Sequence, residues 1–199
     1  CTSNANKKFG SKALQTNGGG IINYEQFEFG GADFTIGFFA KLDASSVAYA
    51  PFFCACASSS FGTTTARNGE LSLIRYNTNN SLYLINIDSS NNTVLDSGKI
   101  NFNPCTAVHY YELDYHHATR TLELFADTQL IFSQSNITIE RLARYFALGF
   151  LTSNLVIVSI ASIDEFFILD GVARSSGTCT VPTEPFEVTE NTLSLLHFE

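Results

Sequence analysis

The chain is predicted to be all-β, a two-sheet antiparallel sandwich, on three observations. Apolar residues recur at every second position in short runs, the runs are rich in Val, Ile, Phe, Tyr and Thr, and clusters of Gly, Asn, Ser and Asp separate them. With 18 Phe and 13% aromatic residues in 199, the chain has ample material for one large core.

Residues 1–20 read as a polar, Gly-rich loop around the apolar insert Phe9-Gly10-Ser11-Lys12-Ala13-Leu14. The loop ends in Gly18-Gly19-Gly20, which lacks a following helix and a Lys, so it is a turn and not a phosphate cradle. From Asp33 to Leu42 the alternation is nearly clean: Phe34, Ile36, Phe38, Ala40 and Leu42 share one face, and Thr35, Gly37 and Lys41 the other. Phe39 interrupts the polar face, which predicts that something covers that side too. Further strands read at 51–57, 70–76, 82–88, 108–115, 121–126 and 129–132, with turns at 67–69, 77–80, 116–119 and 127–128, so successive hairpins make a meander. Thr138 is placed to cap one helical turn over 139–145. Strands resume at 146–151, 155–160 and 163–169.

Residues 170–192 carry Gly171, Gly177, Pro182 and Pro185 among polar residues and read as an extended linker, whose prolines favour an outward path. The expected organisation is a sandwich over 1–169, the linker over 170–192 and a terminal strand over 193–199. In that strand Leu193 and Leu195 point one way and Leu196 and Phe198 the other. Burying four such side chains is worth about 6–12 kcal/mol gross, so the strand needs a slot, in its own molecule or in the next one.

A net charge of −8, with 11 Lys and Arg and no basic run, repels nucleic acid and anionic lipid. No apolar stretch reaches the length of a membrane span. The absence of Met means that residue 1 is not a translation start, so a secretion signal or a preceding repeat is expected upstream. Five cysteines and three N-x-[ST] triplets, at Asn79, Asn91 and Asn136, suit an oxidising, extracellular setting where N-linked glycans attach. Cys54 and Cys56 share a strand face and are poorly placed to bond each other, and one of them is expected to meet Cys105; Cys1 and Cys179, both near the chain's joining ends, are expected to pair within a subunit or across a junction. Buried free thiols are the competing reading.

Four segments resemble the concanavalin A-like, laminin-G/pentraxin-like superfamily of jelly-roll modules. Phe9-Gly10-Ser11-Lys12-Ala13-Leu14 is similar to the family's opening FG-x-x-AL, and Asp33–Lys41 to its DFTIEFWVK strand. His109–Asp127 resembles its central hairpin, with Thr128 standing where a Gly belongs. Ile163–Ile168, then Gly171-Val172-Ala173-Arg174 and Pro182–Phe186, resemble its closing IDEfrI…GvAR…PTePF. The resemblance implies a concanavalin A-like jelly roll. It also implies a displaced element: Leu195-Leu196-His197-Phe198-Glu199 resembles the family's first strand, which here comes last and would pair with the closing strand. The opening strand is thus supplied from the C-terminus.

Two functions follow. The first expectation is an extracellular structural subunit whose donor strand (Leu193, Leu195, Leu196, Phe198) fills an acceptor groove at Ile163, Phe166 and Ile168 of another copy, giving a head-to-tail filament. The alternative is a glycan-binding module or adhesin that closes on itself as a circular permutant. Some relatives are glycosidases with Glu-x-Asp-x-x-Glu on one strand; here Glu112 and Asp114 share a face but His117 stands at the third position, so no enzyme is expected and the pair reads as a solvated strand face. Asp164 and Glu165 read as orienting the closing strand and its turn, and His116-His117 as ordinary turn residues. No cofactor is expected; no dense Asp cluster has calcium-ligand spacing, and calcium stays open.

Overall fold

The computed structural model describes residues 2–3, 8–10, 13–15, 20–23, 31–42, 49–56, 71–76, 81–87, 92–139, 145–148 and 161–197, and among them every regular element is a strand. In chain order these are β1 (Thr2–Ser3), β2 (Ala13–Gln15), β3 (Gly20–Asn23), β4 (Phe34–Leu42), β5 (Tyr49–Cys56), β6 (Leu71–Tyr76) and β7 (Ser81–Ile87). They continue with β8 (Thr93–Asp96), β9 (His109–His116), β10 (Thr121–Ala126), β11 (Gln129–Gln134), β12 (Tyr145–Leu148), β13 (Ala161–Asp170) and β14 (Thr192–Leu196). One sheet runs β1-β2-β13-β4-β9-β10-β11, with β14 also on β13, and the other runs β3-β12-β5-β6-β7-β8. Every pairing is antiparallel, which makes the predicted jelly-roll sandwich.

The main core lies between the sheets. Phe34, Ile36, Phe38, Ala40 and Leu42 of β4 enter it, as the alternation dictates, and meet Leu71, Leu73, Leu82 and Leu84 of the other sheet. A bulge between Pro51 and Phe53 lets the consecutive Phe52 and Phe53 both reach this core. Phe38 sits at its centre, with ring centroids 5.4 Å from Tyr111 and 5.6 Å from Phe52. In the tight β10–β11 hairpin the left-handed position is taken by Asp127 (φ 54), a residue that tolerates this conformation, so the missing Gly costs little.

A second apolar cluster covers the other face of the larger sheet. Phe39, Tyr110, Phe125, Phe167 and Leu169 are buried there, roofed by Val172, Val181 and Phe186 from residues 171–191, here called the strap. Phe39 thus has the cover its position predicted, with Phe9 packed edge-on at 5.5 Å. Gly37, on the same face, is required: a Cβ there would lie 2.1 Å from the Phe167 ring.

The linker expected to lead outward instead folds back as this strap, because its own Val and Phe side chains have an apolar face to bury. The tail follows it home. Leu196 pairs with Phe166, Leu195 with Phe167 and Ser194 with Ile168 of the same chain, where a neighbour's strand was expected. Leu196 packs on the main core and Leu195 on the second cluster, so the strand is apolar on two sides as read, while Leu193 is 39% exposed. Phe198 lies outside the described residues, as do the strand expected at 155–160 and most of the helical turn over 139–145, of which Tyr145 opens β12.

Candidate functional site

Strand alternation sends Tyr111, Leu113 and Tyr115 of β9 into the main core, and therefore Tyr110, Glu112 and Asp114 to the opposite face. The expectation of a solvated face fails: Glu112 and Asp114 are both fully buried, because the strap lies across them. Arg174 Nη1 donates to Glu112 Oε2 at 2.6 Å, and the Tyr110 and Ser175 hydroxyls also donate to this carboxylate. Asp114 Oδ1 accepts from the Thr35 hydroxyl at 2.5 Å and from Arg174 N at 2.9 Å, while its Oδ2 finds no donor among the described residues.

Burial and the neighbouring Glu112 push Asp114 up to about 8, so it keeps its proton at neutral pH beside the Glu112–Arg174 pair. Burial, then Glu112, push the Cys179 thiol up to about 12, and burial raises Tyr110 well above the ordinary phenol range. With no solvent access in this conformation, the two carboxylates anchor the strap. Glu123 adds a further fastening by accepting from Gly177 N at 3.0 Å.

A second fastening lies on β13. The register breaks between Asp164 and Phe167, with Glu165 at φ 51. Asp164 Oδ2 accepts from Lys8 N at 2.9 Å and Phe9 N at 3.1 Å. Glu165 Oε2 accepts from Phe186 N at 2.9 Å, and its Oε1 meets His197 Nδ1 at 2.6 Å. Read from the sequence as orienting the closing strand and its turn, the two acidic side chains reach further and together gather the N-terminal segment, the strap and the tail. On one side of this bulge β14 pairs with Phe166 and Ile168; on the other, Ile163 pairs with Leu14 of β2, so it is not part of the tail's groove.

Where these three segments meet, a cleft of about 400 Å³ opens. Phe9, Phe186, Pro185, Val188 and Leu195 supply its apolar walls, and Glu165, Glu184, Glu187 and His197 its polar groups. Phe186 is held rigid by parallel stacking on Phe167 at 3.8 Å between centroids. The sequence offered no direct signal for this cleft, since its walls lie more than 150 residues apart and meet only through the bulge.

The remaining sequence candidates are dispersed. Asn136 is exposed, with φ 63, while Asn79 and Asn91 lie outside the described residues. Cys179 carries a thiol that donates to Glu112 at 3.6 Å, in place of the expected bridge to Cys1, because the strap buries it on β9. Cys105 packs half-buried at the edge of the main core; Cys1 and the side chains of Cys54 and Cys56 lie outside the described residues. His116 pairs with Glu123 at 3.3 Å, and His117 N donates to Asp33 Oδ1 at 2.7 Å. Among the described residues no group of three His, Cys, Asp or Glu side chains could hold a metal ion.

No protein-family model matches the chain, and no curated protein matches it in sequence. Its fold is similar to domain 4 of AbnA, a GH43 extracellular arabinanase from Geobacillus stearothermophilus, solved in complex with arabinotriose: TM-score 0.62, 17% identity, over 87% of this chain and 77% of that one. It is also similar to the CBM40 of a Ruminococcus gnavus IT-sialidase bound to sialyllactose, with TM-score 0.50 and 14% identity over 81% and 93% of the two chains. A third likeness is to a mutant Trypanosoma rangeli sialidase, TM-score 0.55 and 12% identity over 84% of this chain, which spans only 26% of that protein. At these identities the likeness is one of fold, a β-sandwich jelly roll.

Proposed function

We propose that the domain is an extracellular carbohydrate-binding module that closes on itself as a circular permutant, with the cleft between Phe9, Phe186, Glu187 and His197 as its sugar site. The cleft carries this reading. It joins a rigid aromatic wall, suited to the apolar face of a sugar ring, to carboxylates and an imidazole suited to hydroxyls. Its volume of about 400 Å³ matches one or two sugar rings, and both the arabinotriose and the sialyllactose complexes belong to proteins of this fold. Filament formation by strand donation has less support, because the slot on β13 already holds β14 of the same chain. No chemistry at Glu112 and Asp114 is needed for a binding role.

The test is a glycan array probed with monomeric protein, beside a Glu187→Ala variant whose altered side chain is exposed and leaves the core untouched. Selective binding that weakens in the variant supports the reading. Absence of binding to any neutral, amino or sialylated oligosaccharide overturns it.

A further inference from the structure

The polar groups of the cleft are unequal. The Glu165 carboxylate is already held by Phe186 N and His197. Glu184 and Glu187, three residues apart on the exposed strap, make no hydrogen bond or ion pair with any described residue. The Arg174 guanidinium lies 5.1 Å from the Phe186 ring but is committed to Glu112 at 2.6 Å. The Lys8 ammonium rests over Phe39 and Phe9, at 5.3 and 5.8 Å from their centroids, and is not part of the cleft wall. An apolar wall therefore faces two uncompensated carboxylates, on a chain whose net charge is −8.

Resting on the sugar-binding reading above, we propose that this cleft selects glycans carrying a protonated amine, that is de-N-acetylated hexosamine units, over their N-acetylated counterparts, and rejects sialylated chains. The ring would lie against Phe9 and Phe186 while the ammonium is shared by Glu184 and Glu187. N-acetylation removes the charge and adds bulk at that atom. A sialic acid carboxylate meets like charge on the rim and in the long-range field.

Calorimetric titration of the full chain with glucosamine trisaccharide, N-acetylglucosamine trisaccharide and sialyllactose at about pH 5.5, where the amine is protonated, tests this. Two exposed ion pairs predict about a two- to thirtyfold preference for the amine form. That preference should shrink in high salt and disappear in a Glu184→Gln/Glu187→Gln variant, whose affinities for the amine and acetylated forms become equal. Equal affinity for amine and acetylated forms, a preference that survives in the double variant, or tighter binding of sialyllactose overturns this inference and leaves sugar binding intact. No binding of any of the three also overturns this inference, and the sugar reading is then decided by the glycan array.

Discussion

Replacing Asp114 with Asn should make the protein progressively more stable than wild type as pH rises. Asp114 sits at about 8 in the folded chain against an ordinary value of 3.8, through burial and the charge of Glu112. Below both values the two states carry the proton alike, and this group leaves stability untouched. Between them the unfolded chain has lost the proton and the folded chain has kept it, so stability falls with rising pH until about pH 8 and then levels off. Each pH unit inside the window is worth about 1.4 kcal/mol, so the fall from pH 4 to pH 7 comes to roughly 4 kcal/mol. Asn keeps the Oδ1 acceptor used by Thr35 and by Arg174 N, and its amide takes the place of Oδ2 without a charge. Urea unfolding of both proteins at several pH values, compared as a difference, cancels the other titrating groups. A difference that stays constant within about 0.5 kcal/mol from pH 4 to 8 would refute the buried-proton account.

Two further outcomes are expected. Gly37→Ala should cost about 1–3 kcal/mol or more, since the new methyl meets the Phe167 ring from 2.1 Å, and Phe167→Leu should recover part of that loss in urea denaturation. Leu196→Ala, which opens the main core, should cost about 2 kcal/mol, while Leu193→Ala at the exposed position costs under about 0.5; the midpoints should not depend on protein concentration, and a clear dependence would return the tail to a neighbouring copy.

Much of the fold was legible because strand alternation is a short-range signal. Phe34 to Leu42 declared their faces, Phe39 declared a cover, and the greasy tail declared a slot beside Phe166 and Ile168. What covers a sheet is not a short-range property. Nothing local marks Arg174, Ser175 and Cys179 as partners of Glu112, so an i, i+2 carboxylate pair looked solvated when it is buried. The strap's prolines suggested an outward path, yet Val172, Val181 and Phe186, spaced irregularly among polar residues, decide its course. The cleft was invisible for the same reason, since it exists only where Phe9, the Glu165 bulge, Phe186 and Leu195 converge.

The seam on β13 bears on how the protein is made. Its edge is completed by residue 14 from one end of the chain and residue 196 from the other, and Asp164 ties back to Lys8 across 156 positions. Such distant closures are slow. During synthesis the β13 edge waits uncapped until residues 192–196 have left the exit tunnel, so a chain broken off between the two strands presents an open ribbon to its neighbours.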